Sequence, residues 1–366
     1  MNDGLRHSPL HDRHVALGAK LADFGGWQMP IEYPGGGVLK EHAAVREAVG
    51  IFDVSHLGKL RVSGDDSRAF VNQMFTNDLD RIGPGRAQYS MLCDEDGGVV
   101  DDLIVYLRAD DDVFVIPNAS NTVEVVRRLS EVKPTAASVT NLHDRYGVIA
   151  VQGPRSGEVL RELGLPHDHD YMAFTDSVWN GEPVVVCRTG YTGEHGFELL
   201  PSWEATGALW DALLSAAAPL GGRPAGLGAR DTLRTEMGYP LHGQDLSREI
   251  SPVQARLGWA VGWQKQVFVG REALLAERRV GPARRLWGLL ATDRGIPRPH
   301  MAVSDLTRHI VGEVTSGTFS PTLRQGIGLA LLNHDIKDGD SVQVDVRGKP
   351  AVMTVVKPPF VKASTR

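Results

Sequence analysis

The stretch that most constrains the fold of this chain is residues 97–106, which read GGVVDDLIVY. A Gly-Gly turn followed by β-branched and aromatic residues predicts the second strand of a hairpin. Neighbouring side chains of a strand point to opposite faces, so Asp101 and Asp102 cannot both face solvent unless the strand begins or bulges there. We therefore expect one of these two carboxylates to face inward, among apolar neighbours.

An inward carboxylate has two interpretations. Burial raises the pKa of a carboxyl group unless hydrogen-bond donors or a cationic ligand compensate, and such a group is a candidate for function. Alternatively, Asp101 or Asp102 closes the turn by accepting backbone amides, as Asp commonly does. The dipeptide alone favours neither interpretation.

The order of elements indicates an α+β fold. Apolar residues at helical spacing predict an amphipathic helix over 39–50, and strict alternation over 51–56 predicts a strand. Hairpins outnumber regular βαβ repeats, which favours α+β over a doubly wound sheet. Beyond a basic link at 278–285, short β-runs and turns predict a small barrel or jelly roll. We expect one region at 1–279 and a barrel domain at 280–366.

Composition limits the possible partners and location. A net charge of -6 and a pI near 6.1 give no electrostatic reason to expect nucleic acid. Two cysteines, Cys93 and Cys187, form neither a disulfide framework nor a zinc site and are expected to be buried. The N-terminus lacks an apolar signal region and no run approaches about 20 apolar residues, so we predict a cytoplasmic protein that does not bind membranes.

Motifs for metal, nucleophilic and nucleotide chemistry are missing from the sequence. None of the 13 histidines, including His56, His195 and His242, has the spacing of a zinc site, so we predict no metal. The sequence contains no Gly-x-Ser-x-Gly elbow and no dinucleotide or phosphate-loop fingerprint. Most covalent and nucleotide-dependent chemistries are therefore disfavoured.

A set of polar residues beside Gly-rich turns remains. Together they could bind a planar heterocycle, because a carboxylate accepts two parallel N–H bonds and an Arg can hold a carboxylate tail. Taken singly, the tyrosines are better explained by packing at strand edges, and Glu198 and Arg230 by an ion pair. Sequence spacing does not show that the members converge. The set comprises Tyr89, Asp101 or Asp102, Asn118, Tyr191, Glu198 and Arg230.

Ten blocks of the sequence resemble, in the same order, the aminomethyltransferase of the glycine cleavage system, the T-protein. The resemblance covers the chain from about residue 8 to residue 361. The blocks are DFGGWQMP at 23–30, FDVSH at 52–56, TND at 76–78, YS at 89–90, GGVVDDL at 97–103, QGP at 152–154, RTGYTGE at 188–194, GLGARD at 226–231, LHGQD at 241–245 and TSGTFSPT at 315–322.

The resemblance implies a fold and a reaction. It implies two interwoven α+β folate-binding domains and a C-terminal β-barrel in a three-domain, cloverleaf-like arrangement, with tetrahydrofolate in a central channel. The implied reaction passes the one-carbon unit of an aminomethyl group from the lipoyl arm of H-protein to tetrahydrofolate. The implied products are methylenetetrahydrofolate, ammonia and the dihydrolipoyl protein, which would place the enzyme in glycine breakdown and one-carbon metabolism.

The resemblance also implies roles for individual residues. The functional aspartate of the family matches the second Asp of the Asp-Asp-Leu motif, here Asp102, and only this matching prefers it to Asp101. By the same matching, the folate contacts are Tyr89, Asn118, Tyr191, Glu198 and Arg230.

Two related groups of proteins are alternatives. One is another folate-linked enzyme of the same fold, such as a demethylase or the folate half of an amine oxidase; the oxidase would need a flavin domain, for which no fingerprint is present. The other is the folate-binding group tied to iron-sulfur assembly, marked by a Lys-Gly-Cys-x-Gly-Gln-Glu-like motif. The corresponding stretch, 239–245, reads YPLHGQD and contains no cysteine.

Overall fold

The computed structural model describes residues 4–346 and 348–365, which build three β-sheets and a closed barrel. The strands are β1 (Arg6–His7), β2 (Lys20–Phe24), β3 (Trp27–Glu32), β4 (Gly50–Asp53), β5 (Leu60–Gly64), β6 (Arg86–Cys93), β7 (Val99–Ala109), β8 (Asp112–Ile116), β9 (Ala137–Asn141), β10 (Ile149–Gln152), β11 (Phe174–Trp179), β12 (Glu182–Cys187), β13 (Gly196–Pro201), β14 (Arg223–Pro224), β15 (Arg284–Ala291), β16 (Ala302–Ser304), β17 (Ile310–Ser320), β18 (Gln325–Asn333), β19 (Ser341–Val346) and β20 (Lys349–Val356).

The helices lie mostly between the strands of the first three quarters of the chain. They are α1 (His11–Ala16), α2 (Gly37–Glu47), α3 (Ser67–Met74), α4 (Thr122–Val132), α5 (Ser156–Glu162), α6 (Thr206–Ala217), α7 (Leu227–Met237) and α8 (Arg271–Val280).

The predicted hairpin is confirmed as the β6–β7 pair of a five-stranded sheet with the order β6-β7-β8-β5-β9. Leu103, Val105 and Leu107 alternate along β7 and enter an apolar core that also contains residues of α3 and α4. The opposite face of β7 carries Ile104 and Tyr106 toward the second sheet. This hairpin is therefore covered on both faces, which explains why two adjacent carboxylates on it are shielded from water.

The second sheet has the order β11-β12-β13-β10-β4-β14, and α5 and α6 contribute to the core that covers one of its faces. Its other face meets the first sheet in a core that includes Phe52, Tyr106, Phe174 and Cys187. Both cysteines are buried, as predicted. The strand predicted over 51–56 is shorter, since β4 ends at Asp53.

Residues 23–30, whose Gly-Gly pair indicates a loop, instead lie mostly in the β2–β3 hairpin of a small three-stranded sheet. Gly25 and Gly26 both have positive φ values, 60° and 84°, and make its two-residue turn. Such a turn needs left-handed backbone at both central positions, which glycine adopts without strain. Trp27 and Met29 then alternate into a buried cluster with Leu227.

The C-terminal strands form a closed barrel with the order β15-β18-β17-β16-β19-β20. Its interior is apolar and its seam closes through β15 and β20. The α+β class with a C-terminal barrel is thus confirmed. The division at residues 279 and 280 stays a prediction; α8 ends at Val280 and the first barrel strand begins at Arg284.

Lys59 is fully buried after β4, and its Nζ donates to the carbonyl of Ser55 at 2.8 Å. Burial lowers the pKa of Lys59 from 10.5 to about 7. Between these pH values the unfolded chain binds a proton that the folded protein lacks, so folding stability rises with pH. We expect Lys59→Met to remove a slope of up to about 1.4 kcal/mol per pH unit. Urea unfolding from pH 7 to 10 measures it, and exposed Lys337→Met is the control; equal slopes in the two variants would contradict the prediction.

Candidate functional site

The two adjacent carboxylates of β7 have different surroundings, beginning with Asp101. Its side chain is fully buried. Its Oδ2 accepts the backbone N–H of Asn118 at 3.0 Å, and its Oδ1 accepts the side-chain amides of Asn118 and Asn121 at 2.9 and 2.7 Å. Burial and the negative charge of Asp102 raise the pKa of Asp101, and the amide donors oppose this rise. Asp101 therefore joins β7 to the loop that carries Asn118.

The hairpin turn is closed by a different residue. Asp94 Oδ1 accepts the backbone N–H of Gly98 at 3.1 Å. The turn-closing interpretation of Asp101 or Asp102 is therefore wrong, because the Gly97–Gly98 turn starts earlier and already has its own carboxylate. The backbone amide that Asp101 accepts belongs to Asn118, 17 residues away.

Asp102 is half-buried and accepts hydrogen bonds from two site residues that the sequence singled out. Its Oδ2 accepts the hydroxyl of Tyr89 at 3.0 Å, and its Oδ1 accepts the side-chain amide of Asn118 at 2.9 Å. Burial raises the pKa of Asp102, and nearby His242 together with these two donors opposes the rise. No ion pair to Asp102 is found within the described part of the chain. An ionised Asp102 thus offers a negative charge in a partly dry setting.

Tyr191 and Arg230 form a second part of the site. The Arg230 guanidinium carbon lies 4.6 Å from the centroid of the Tyr191 ring, a cation–π geometry. The Arg230 Nη1 is buried and has no hydrogen-bond partner among the described residues. Burial lowers the pKa of Arg230, and the charge of Glu198 opposes that change. A buried guanidinium nitrogen without an acceptor suits an oxygen or nitrogen acceptor of a ligand.

Glu198 lies on β13 with 8% of its surface exposed, and its Oε2 accepts the Thr189 hydroxyl at 2.5 Å. The expected ion pair with Arg230 is not made within 4.0 Å in the described residues, although the two charges interact. Both tyrosines pack on aromatic neighbours, but only Tyr89 does so from a strand: its ring centroid lies 5.4 Å from that of Trp259, and the ring of Tyr191, in the loop before β13, lies 5.7 Å from that of Tyr239.

The predicted residues converge on one region. Asp102, Tyr89 and Asn118 are joined by hydrogen bonds. Burial and the charge of Asp102 raise the pKa of Tyr191, and the Tyr191 hydroxyl donates to the carbonyl of Pro240, two residues before His242. The Arg230 guanidinium lies over the Tyr191 ring and also interacts electrostatically with Glu198. Spacing could not show this, because the members come from three separate strands, two loops and one helix.

Sequence reasoning missed two residues of this region. Asn121 contacts Asp101, and its position three residues after Asn118 in the same polar turn was the available signal. His242, considered only as a metal ligand, instead contacts Asn121 at 3.0 Å. Within residues 4–346 and 348–365, no three His, Cys, Asp or Glu side chains are placed to hold one metal ion.

Comparisons with known proteins cover nearly the whole chain. A family model described as the GCVT N-terminal domain matches residues 10–265, and one described as the glycine cleavage T-protein C-terminal barrel domain matches residues 284–362. The chain is 68% identical over 362 residues to an aminomethyltransferase of Parafrankia sp., covering 99% of each chain. It is 58% identical over 364 residues to an aminomethyltransferase of Mycolicibacterium paratuberculosis, covering 99% of this chain and 98% of the other.

A solved structure shares the fold. The crystal structure of glycine cleavage system aminomethyltransferase T from Bartonella henselae matches with a TM-score of 0.93 at 32% identity, covering 98% of this chain and 99% of that one. None of the helices in the described residues is long and apolar enough to cross a membrane.

Proposed function

This chain belongs to the T-protein family, the aminomethyltransferases of the glycine cleavage system, and on that premise we propose that Asp102 is its catalytic residue and tetrahydrofolate its acceptor substrate. The enzyme is a transferase of one-carbon units. The observation that carries the proposal is the half-buried Asp102 carboxylate, which Tyr89 and Asn118 hold by hydrogen bonds and which forms no ion pair with the residues that the structure describes. Such a group is prepared to interact with positive charge on a substrate.

In the proposed reaction the donor is an aminomethyl group bound to sulfur of the lipoyl arm of H-protein. The carbon–sulfur bond breaks and the sulfur keeps the electron pair and takes up a proton. Two folate nitrogens bind the carbon and each releases one proton; one of these protons balances the proton taken up by the sulfur, and the other goes to the amino group, which leaves as ammonia. Positive charge therefore develops on the transferred carbon. The fixed negative charge of Asp102 stabilises that carbon and orients the folate nitrogen, and any role as a general base is secondary.

We propose that the other predicted residues bind the folate. The Glu198 carboxylate is suited to accept two N–H bonds from the amine and amide edge of the pterin ring. The Arg230 nitrogen without a partner is suited to an acceptor atom of the same ligand. Tyr89 and Asn118 would contact the ligand beside Asp102, and Tyr191 beside Arg230.

We expect Glu198→Gln to weaken folate binding by roughly 2 kcal/mol, or about 30-fold in Kd, because an amide presents one donor where the carboxylate presents two acceptors. Titration calorimetry with tetrahydrofolate measures the change. Exposed Glu204→Gln is the matched control. An unchanged Kd in Glu198→Gln would remove this residue from the proposed folate site.

We propose lipoylated H-protein as the macromolecular partner and the cytoplasm as the location. Family membership supports the partner, because the donor group of the reaction must be delivered on a carrier arm. We also propose a folate-binding region at 1–279, consisting of two interwoven domains, and a barrel domain at 280–366. The boundary is supported by the end of α8 at Val280 and the start of the barrel at Arg284.

One assay tests the proposed function. The purified protein is incubated with tetrahydrofolate and aminomethyl-loaded H-protein, and methylenetetrahydrofolate and ammonia are both quantified. We expect the two products in equal amounts and none when either substrate is left out. Folate binding without turnover would contradict the proposal and favour a demethylase with another substrate or a folate-binding protein without this activity.

A further inference from the structure

A continuous series of hydrogen bonds lies behind the catalytic strand. His242 Nε2 is 3.0 Å from the carbonyl of Val99, the first residue of β7, and His242 Nδ1 is 3.0 Å from the side-chain amide of Asn121. That same amide nitrogen donates to Asp101 Oδ1 at 2.7 Å. The series therefore leaves the backbone of β7 and returns to a carboxylate of the same strand two residues later.

The chemistry of these groups fixes the direction of each bond. A carbonyl oxygen can only accept, so the His242 Nε2 carries the hydrogen. The two hydrogens of the Asn121 amide are then used by Asp101 and by the Nδ1 of His242, which accepts as the unprotonated nitrogen of a neutral ring. One tautomer and one amide orientation satisfy every member. The half-buried His242 ring thus holds Asn121 in the orientation that Asp101 needs.

Asn118 links Asp101 to Asp102 by hydrogen bonds to both residues. Asp101 accepts both the backbone and the side-chain N–H of Asn118. The same Asn118 side-chain nitrogen lies 2.9 Å from Asp102 Oδ1 and 2.9 Å from the Asp102 carbonyl. Asn118 is therefore placed by Asp101 and in turn places the Asp102 carboxylate.

We propose that Asp101, Asn121 and His242 are positioning residues that fix the catalytic carboxylate of Asp102 through Asn118. This inference rests on the proposed function. Among the described residues, Asp101, Asn121 and His242 make no hydrogen bond to the Asp102 side chain, whereas Asn118 does. Their removal should therefore affect the rate of the chemical step more than the binding of either substrate, since a displaced carboxylate loses its alignment with the transferred carbon.

The test compares two substitutions of one residue. His242→Phe keeps a ring of similar shape but removes both hydrogen bonds, whereas His242→Gln offers one donor and one acceptor. We expect His242→Phe to lower kcat roughly tenfold to a hundredfold, with the Kd of tetrahydrofolate and the KM of loaded H-protein within about twofold of the parent. His242→Gln should recover most of that loss. His300→Phe, on the exposed surface of the barrel, is the matched control.

Asn121→Ala provides a second route if His242→Phe does not fold. It should lower kcat alone, and the double variant with His242→Phe should be no slower than Asn121→Ala, because both act through the same amide. Melting temperatures ensure that each assay uses folded protein. Equal kcat in the parent and both single variants would overturn the proposal, as would additive losses in the double variant. If the parent itself forms no methylenetetrahydrofolate, the proposed function fails instead.

Discussion

Asp102→Asn should lower kcat by about 100-fold to 1000-fold while the Kd of tetrahydrofolate changes by less than about threefold. The amide keeps the size of the side chain and can still accept the Tyr89 hydroxyl. It cannot supply the negative charge that stabilises the transferred carbon. With the amide oxygen facing Tyr89, the amide NH2 group faces the Asn118 donor. Single-turnover measurements with loaded H-protein, together with calorimetric folate titration, separate the two effects.

The pH dependence of the parent enzyme gives a second readout of this residue. Burial raises the pKa of Asp102, so its ionised form is lost at a higher pH than for an ordinary aspartate as the solution is acidified. As the pH is lowered, we expect kcat to begin to fall at a higher pH than it would for an ordinary aspartate. This fall should be absent from the residual activity of Asp102→Asn. If Asp102→Asn lost folate affinity to the same extent as kcat, Asp102 would instead have a role in binding the ligand.

Asp101→Asn is the matched comparison, because it changes the neighbouring carboxylate on the same strand. An amide there places a donor against the amides of Asn118 and Asn121, so we expect reduced stability together with a smaller loss of kcat. If Asp101→Asn abolished turnover while Asp102→Asn retained it, the essential carboxylate would be Asp101.

The local pattern of the sequence predicted the hairpin of residues 97–106 and the barrel, since strand alternation and turn residues are short-range signals. The same signals failed at residues 23–30, where glycines typical of loops make a two-residue hairpin turn. They also could not show that Asp94 closes the turn before β7. Turn residues allow several backbone conformations, and packing against the rest of the chain selects among them.

The candidate site could be predicted residue by residue only through resemblance to a family. Tyr191 and Arg230 are 39 positions apart in the chain, and their contact depends on how α7 packs against the second sheet. Asn121 and His242 are 121 positions apart. Their side chains carry no individual signal, because a polar residue that satisfies a buried carboxylate looks the same in sequence as one at the surface. Long-range packing decides which of the two it is.

One buried carboxylate connects the barrel to the folate-binding region. Glu236, on α7, is fully buried, and its side chain accepts from Arg46 on α2 at 2.6 Å. It also accepts the hydroxyl of Ser320, at the end of β17, at 2.5 Å and that of Thr322 at 3.0 Å. Since α2 and α7 precede the barrel in the chain, this single group ties the barrel to elements that carry or support the site.

Glu236→Gln should therefore lower the free energy of unfolding at pH 7 by about 3 kcal/mol, because among the described residues it leaves the half-buried Arg46 with Glu194 as its one remaining counter-charge. Burial by itself raises the pKa of Glu236, but His42, Ser320 and Arg46 outweigh it and bring the pKa to about 2. The parent keeps this stabilisation above the ordinary value of 4.5 and loses it as the pH falls toward 2.

Urea unfolding at pH 7 and pH 3 measures both parts of this prediction. The difference between the parent and Glu236→Gln should shrink at the lower pH. Glu131→Gln is the control, because Glu131 pairs with Arg127 on the exposed face of α4, where loss of an ion pair costs about 0.5 kcal/mol or less. If Glu236→Gln were no less stable than Glu131→Gln, apolar contacts would hold the barrel against the rest of the protein. The hydrogen bonds and ion pair of Glu236 would then orient the barrel without stabilising it.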